Sequence, residues 1–280
     1  MIKLSFAIST FSGKDEHLDL SLNSLTKHSY DKSAVELLVF IDYVDNQPTR
    51  LVLKKYKNFF DSILVFAVTS KKEVVSHSAS RRNFLAIHAR GEYIIFSEPE
   101  MFHINNTISE LLQYVATHKN KREWLCGPVY AGRDLCDNSG KITDHFIPPP
   151  PMSKLKPIFE LPKLPSNPKF KKMFNIIDYA DYTTPFFICM LYRKTFLKLK
   201  GLNQNLKVRG FEEVEFAKRF KDAGGKIITY NRIPSVHIPH KRNLNIELQI
   251  SWNLYNSTID FDKKQQLGKI DDAIVQEVKL

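Results

Sequence analysis

The sequence predicts an α/β protein built on a mostly parallel central sheet flanked by helices. Three observations carry that prediction. Strand-like and helix-like segments alternate over the first seventy residues, the order of a sheet with crossover helices. The second strand segment, Val35–Ile41, is a near-continuous apolar run, as a strand covered on both faces requires. Several strand segments stop abruptly at polar residues (Thr10, Asp42, Glu98), and ligands of open α/β sheets sit beyond such strand ends.

The elements follow in order. Residues 4–10 read as a strand, broken by Phe11-Ser12-Gly13-Lys14. A helix over 16–27 places Leu18, Leu22 and Leu25 on one face. After the strand ending at Ile41 comes a polar loop around Asp45-Asn46-Gln47-Pro48, then a helix over 51–60 and a strand over 63–68. A helix over 76–88 buries Ala79, Phe84 and Ile87 and stops at Ala89-Arg90-Gly91. Residues 93–96 form a fourth strand, and 106–118 an amphipathic helix. The proline run 148–151 opens a long proline-rich loop, taken as 145–172. Order resumes with a strand over 186–192, a helix over 194–200, a helix over 211–223 before Gly224-Gly225, and a strand over 226–230. The remainder, 244–280, reads as a helical tail. We expect two halves, 1–125 and 126–243, and that tail.

Composition narrows the function class. The 280 residues are 43% hydrophobic and 25% charged, with 20 Phe and 11 Tyr, which suits a packed domain and not a disordered chain. No apolar run approaches the roughly 18–20 residues of a membrane span, and no charged-then-apolar leader opens the chain. Cys126, Cys136 and Cys189 form no CxxC pair, and an odd number leaves one free. The expected location is cytoplasmic. The net charge of +11 favours anionic partners: phosphorylated small molecules, an acidic membrane touched peripherally, or nucleic acid. No nucleic-acid-binding motif accompanies the charge, so nucleic acid ranks last.

Four clusters carry candidate chemistry, each with a bland alternative. Glu98 and Glu100 flank Pro99 where a strand ends. Two carboxylates at that spacing can hold a hard cation against a diphosphate, or can be solvated acids of a turn. Glu212 and Glu213 follow Gly210-Phe211 at a helix start, where a carboxylate is rigidly placed to act as a general base; the helix dipole alone also favours acids there. His237 and His240 around Pro239 suit a mixed oxygen and nitrogen metal site, or ordinary hydrogen bonding. In Ser80-Arg81-Arg82-Asn83 the arginines could meet phosphate or a carboxylate, or cover an exposed helix face.

Taken in order, these motifs resemble those of family 2 glycosyltransferases of the GT-A (Rossmann-like) fold, and of the related galactosyl- and N-acetylgalactosaminyl-transferases. The resemblance spans about residues 3–243, and it implies a nucleotide-sugar-binding half over 1–125 and an acceptor-binding and catalytic half over 126–243. It rests on Ile8-Ser9-Thr10, on Asp42 after Val39-Phe40-Ile41, and on Arg82-Asn83 with Ala86 before Gly91-Glu92-Tyr93-Ile94-Ile95-Phe96. It continues through Glu98-Pro99-Glu100 in place of Asp-x-Asp, Arg193, Phe196 and Gly201, Gly210-Phe211-Glu212-Glu213, and the late histidines. It implies inverting transfer of a hexosyl or N-acetylhexosaminyl group from a nucleotide-sugar, a UDP-sugar first, to a hydroxyl of a glycan or glycolipid. Thr10, Asp42, Arg82, Asn83 and Glu98 would bind the nucleotide-sugar. Glu100 with His237 or His240 would hold Mn²⁺ or Mg²⁺. Glu213 would be the base and Glu212 would position the acceptor. Glutamate stands for aspartate at Glu98, Glu100 and Glu213, so a binding module without turnover on the same fold is the rival expectation. A glycosyltransferase acting on nucleic acid is a further one.

Overall fold

A computed structural model describes residues 1–69, 78–131, 156–157, 186–206, 212–238, 267, 269–270 and 274–280. The central sheet is built from β1 (Leu4–Ser9), β2 (Val35–Ile41), β3 (Ser62–Val68), β4 (Tyr93–Ser97), β6 (Glu123–Cys126), β9 (Ile188–Tyr192), β10 (Lys226–Thr229) and β12 (Val275–Glu277). Their order across the sheet is β10-β6-β9-β4-β1-β2-β3-β12. Strands β4, β1, β2 and β3 are mutually parallel, as expected from the alternating segments. Strand β9 runs antiparallel between β4 and β6. A smaller sheet joins β5 (Met101–His103), β7 (Val129–Ala131), β8 (Lys156–Pro157) and β11 (Ser235–His237) in the order β5-β11-β7-β8.

Strand alternation sorts the core into two layers. Leu4, Phe6 and Ile8 of β1 and Val35, Leu37, Val39 and Ile41 of β2 point to one face. They pack there against α1 (Asp15–Thr26), α2 (Gln47–Lys55) and α4 (Thr107–Thr117), through Leu18, Leu22, Leu53, Ile108 and Leu111. Ala7, Leu38, Phe40, Ile94 and Phe96 point to the other face. There they meet α3 (Ser78–His88), α5 (Arg193–Lys198) and α6 (Glu212–Asp222), through Leu85, Phe196, Phe216 and Phe220. With both faces covered, a central strand can be apolar throughout, and every residue of β2 is buried.

The polar exception in β2 is Glu36, fully buried near the amino end of the strand. Its carboxylate accepts from Ser5 Oγ at 2.6 Å, Arg90 N at 2.6 Å, Arg90 Nε at 2.6 Å and Gly91 N at 3.3 Å. The network ties β1, β2 and the turn into β4 together at the sheet edge opposite the candidate site. Gly91 is required in it, because a Cβ there would stand 2.4 Å from Ser5 Oγ and 2.8 Å from Ser5 N.

Several boundaries differ from expectation. Residues 45–48 do not form a free loop: Asn46 caps α2 by accepting from Thr49 N, and Pro48 sits in the first turn, where its missing N–H costs nothing. The short strands β5, β6, β7 and β11 escape sequence reading, because three or four residues show no periodicity. Residues 156–157 of the expected proline-rich loop pair with β7 as β8; the rest of that loop lies outside the described residues. The expected helical tail is corrected at 275–277, which is strand β12, antiparallel to β3 at the sheet edge. Most of 244–273 lies outside the described residues. The boundary expected between 125 and 126 falls inside β6, so strands from both halves share one sheet. Cys126 and Cys189 are free, buried and directly paired across β6 and β9. Among the described residues no helix is long and apolar enough to cross a membrane.

Candidate active site at the carboxyl edge of the sheet

Parallel strands deliver their carboxyl ends to one edge, and most of the expected site residues meet there. β1 ends at Ser9, and Thr10, fully buried, donates its N–H to Phe40 O at 2.8 Å. The chain then turns through Gly13 at φ +84°, a left-handed geometry suited to glycine. That turn brings Ser12 to Asp42 at the end of β2. Asp42 Oδ2 accepts from Ser12 N at 2.8 Å and Ser12 Oγ at 2.7 Å, and Oδ1 accepts from Tyr43 N at 3.1 Å and Asn46 Nδ2 at 2.7 Å. Four donors fill the usual acceptor capacity of a carboxylate. Arg81 lies with its guanidinium 5.4 Å from the Phe40 ring centroid. Burial pulls its pKa down, and the charge of Asp42 opposes that.

Arg82, one residue on, is the hub of the site. Its guanidinium contacts Glu98 at the end of β4 and lies 5.0 Å from the Phe186 ring centroid. Its Nη1 is 3.6 Å from Glu212 Oε1 and 3.7 Å from Glu213 Oε1, at the start of α6. Burial by itself would lower the Arg82 pKa, but Glu98, Glu213 and Glu212 together hold it above its ordinary value. The balance falls differently on Glu213. Burial and the neighbouring Glu212 push its pKa up to about 8, with Arg82 opposing.

The second half of the acidic turn is anchored separately. Glu98 N donates to Phe187 O at 3.0 Å, and Ile238 N donates to Glu100 O at 2.8 Å. His237 pairs with Met101 across β11 and β5, and its ring centroid lies 5.2 Å from that of Phe187. Glu100 and His237 therefore sit on adjacent backbone, 2% and 7% exposed. Lys14 Nζ lies 3.6 Å from Glu100 Oε1. A carboxylate and an imidazole form a mixed oxygen and nitrogen donor set, which fits Mn²⁺ better than Mg²⁺ because Mg²⁺ prefers oxygen alone. Among the described residues no three His, Cys, Asp or Glu side chains converge as a metal cluster. His240 lies outside the described residues.

Asn83, expected to bind the nucleotide-sugar, makes its bonds within the chain. Asn83 is fully buried, and its amide is spent on the chain. Nδ2 donates to Leu202 O at 2.9 Å and Gln204 Oε1 at 3.0 Å, and Oδ1 accepts from Leu202 N at 2.8 Å. It clamps the loop after α5. Arg82 meets carboxylates, the second of the two partners its motif allowed. Sequence reading passed over Lys14 and Ser12, which it treated only as a strand breaker. Their signal was position, since they follow β1 at the same edge as Asp42 and Glu98.

No known family profile and no curated protein matches the sequence. Solved structures match the fold. TarS from S. aureus shares 14% identity over 93% of this chain and 40% of its own, with a TM-score of 0.58. The mannosyltransferase PcManGT from Pyrobaculum calidifontis, solved with GDP-Man and Mn²⁺, shares 11% identity over 92% of this chain and 64% of its own, TM-score 0.57. GalNAc-T7, solved with UDP, GalNAc and Mn²⁺, shares 14% over 91% of this chain and 48% of its own, TM-score 0.60. These are GT-A glycosyltransferases, and the chain has the GT-A fold. It spans less than two thirds of the length of each of the three.

Proposed function

We propose that the chain is an inverting glycosyltransferase that moves a hexosyl or N-acetylhexosaminyl group from a nucleotide-sugar, a UDP-sugar first, to a hydroxyl of a glycan or glycolipid. One observation carries the reading. Arg82 joins the acidic turn after β4 to the acid pair at the start of α6, so a diphosphate-side element and a base-side element are locked at one sheet edge. The fold is that of proteins solved with UDP-GlcNAc and GDP-Man, which supports a nucleotide-sugar as the first candidate ligand.

In this mechanism Glu213 accepts the proton of the acceptor hydroxyl as its oxygen attacks the anomeric carbon. The bond from that carbon to the diphosphate oxygen breaks on the opposite side, and the nucleoside diphosphate leaves. A base with its pKa near the working pH is well matched to that transfer. Glu212 orients the acceptor, and Arg82 fixes both carboxylates. Thr10, Asp42 and Arg81 line the nucleotide end. Glu100 and His237 are the residues that would hold Mn²⁺ or Mg²⁺, which supplies positive charge to the leaving diphosphate.

The test is a panel of nucleotide-sugars incubated with Mn²⁺ and assayed for free nucleoside diphosphate. Slow release from one donor is expected. Nucleotide binding without any release from the panel, with or without hydroxyl acceptors, would favour the binding-module reading. The full set of bonds already held by Asp42 is the observation that keeps that reading in view.

A further inference from the structure

The Lys14–Glu100 pair asks for a function. Lys14 closes the turn after β1 and immediately precedes α1; it is 6% exposed and Glu100 2%. Both side chains are almost fully withdrawn from water, with Nζ 3.6 Å from Oε1 and 5.7 Å from the Phe11 ring centroid. Removing two charges from water costs several kcal/mol, so such a pair is a weak way to gain stability. Its placement is more telling. The same turn supplies Ser12 to Asp42 at the nucleotide end, and Glu100 belongs to the turn that ends β4. The ammonium therefore stands between the nucleotide end and the acidic turn, where a diphosphate bridging the two would lie.

A fixed ammonium there has opposite consequences for two ligands. It attracts a diphosphate and repels a dication drawn to the same carboxylate. Resting on the reading of this edge as a nucleotide-sugar site, we propose that Lys14 is a resident cation for the donor diphosphate, so that a nucleoside diphosphate binds here without divalent metal. Glu100 holds the ammonium in place until the diphosphate arrives. A divalent metal held by Glu100 and His237 would supply further positive charge to a site that is already partly neutralised.

Calorimetric titration of UDP and of GDP, each in EDTA and in Mn²⁺, tests the assignment alongside Mn²⁺ binding followed by electron paramagnetic resonance. The wild-type protein should bind one of the two nucleotides in EDTA. Lys14→Met should weaken that metal-free binding about ten- to hundredfold, the range for one lost hydrogen bond to a charged group, while tightening Mn²⁺ binding. Lys14→Arg should restore the metal-free binding. Lys14→Gln, polar and of similar length, should lose the metal-free binding in the same way, and it carries the test if Lys14→Met does not fold. Nucleotide binding by the wild type only with Mn²⁺ would overturn the role of Lys14 alone. So would a Lys14→Met protein that loses nucleotide and Mn²⁺ affinity together. No binding of either nucleotide under either condition would overturn the nucleotide-sugar reading and this inference with it.

Discussion

Replacing Glu213 by glutamine separates catalysis from stability with opposite signs. As a carboxyl whose pKa rises from 4.5 to about 8 on folding, Glu213 keeps in the native state a proton that the unfolded chain has already released. Its contribution to stability is complete below about pH 4.5 and is lost as the pH climbs through about 8. At ~1.4 kcal/mol per unit the shift sets a ceiling of about 5 kcal/mol. The side chain is 23% exposed, so solvent screens part of that, and we expect about 1–2 kcal/mol. Glu213→Gln carries no such burden and should gain on the wild type as pH rises, in urea melts at about pH 5 and about pH 9. Turnover should move the other way. Wild-type donor turnover should rise with pH and level off above about 8, because the base works deprotonated, and the variant should lose about two to four orders of magnitude. Arg82→Gln should shift the wild-type midpoint upward, since the Arg82 charge opposes the rise in Glu213. Near-normal turnover in Glu213→Gln would refute its role as base. A stability difference equal at both pH values would refute the buried proton.

Two further changes probe the scaffold. Glu36→Ala removes the acceptor for Ser5, Arg90 and Gly91 at the far sheet edge and should cost about 2–4 kcal/mol in urea denaturation, with Glu36→Gln milder; a loss indistinguishable from zero would mean the network is incidental. Asn83→Ala should lower the thermal midpoint by releasing the 202–204 loop, with nucleotide affinity unchanged. An unchanged melt with weakened nucleotide binding would return Asn83 to the ligand.

How much was legible in the sequence follows from the range of the interactions involved. Strand β2 and helices α1 and α4 could be read because their patterns repeat over seven to twelve residues, long enough for periodicity to emerge. The smaller sheet could not, because β5, β7 and β11 have three residues each and exist through pairing between segments a hundred residues apart. The site divides the same way. Asp42, Glu98 and Glu100 are marked by where a strand stops, a local signal. That Arg82 also meets Glu212 and Glu213 depends on α6, about 130 residues downstream, and no local pattern encodes that meeting. The bonds of Asn83 were hidden for a related reason. Beside Arg82 it shares the motif, but one step along a helix turns the side chain by about a quarter of a turn, away from the edge and into the 202–204 loop.

The three glutamates that stand where the resembling family has aspartate share one property. Glu98 and Glu213 are both paired with Arg82, and Glu100 with Lys14. An added methylene carries a carboxylate about one bond length further from its own backbone, and here each carboxylate reaches a buried cation. Removing one member of a buried pair strands the other, so stability alone tends to keep such pairs together. The Arg82 cluster departs from that rule, because Glu98, Glu212 and Glu213 share one guanidinium. The proton that Glu213 keeps relieves the excess of negative charge, and its removal exposes the carboxylate that would act as base.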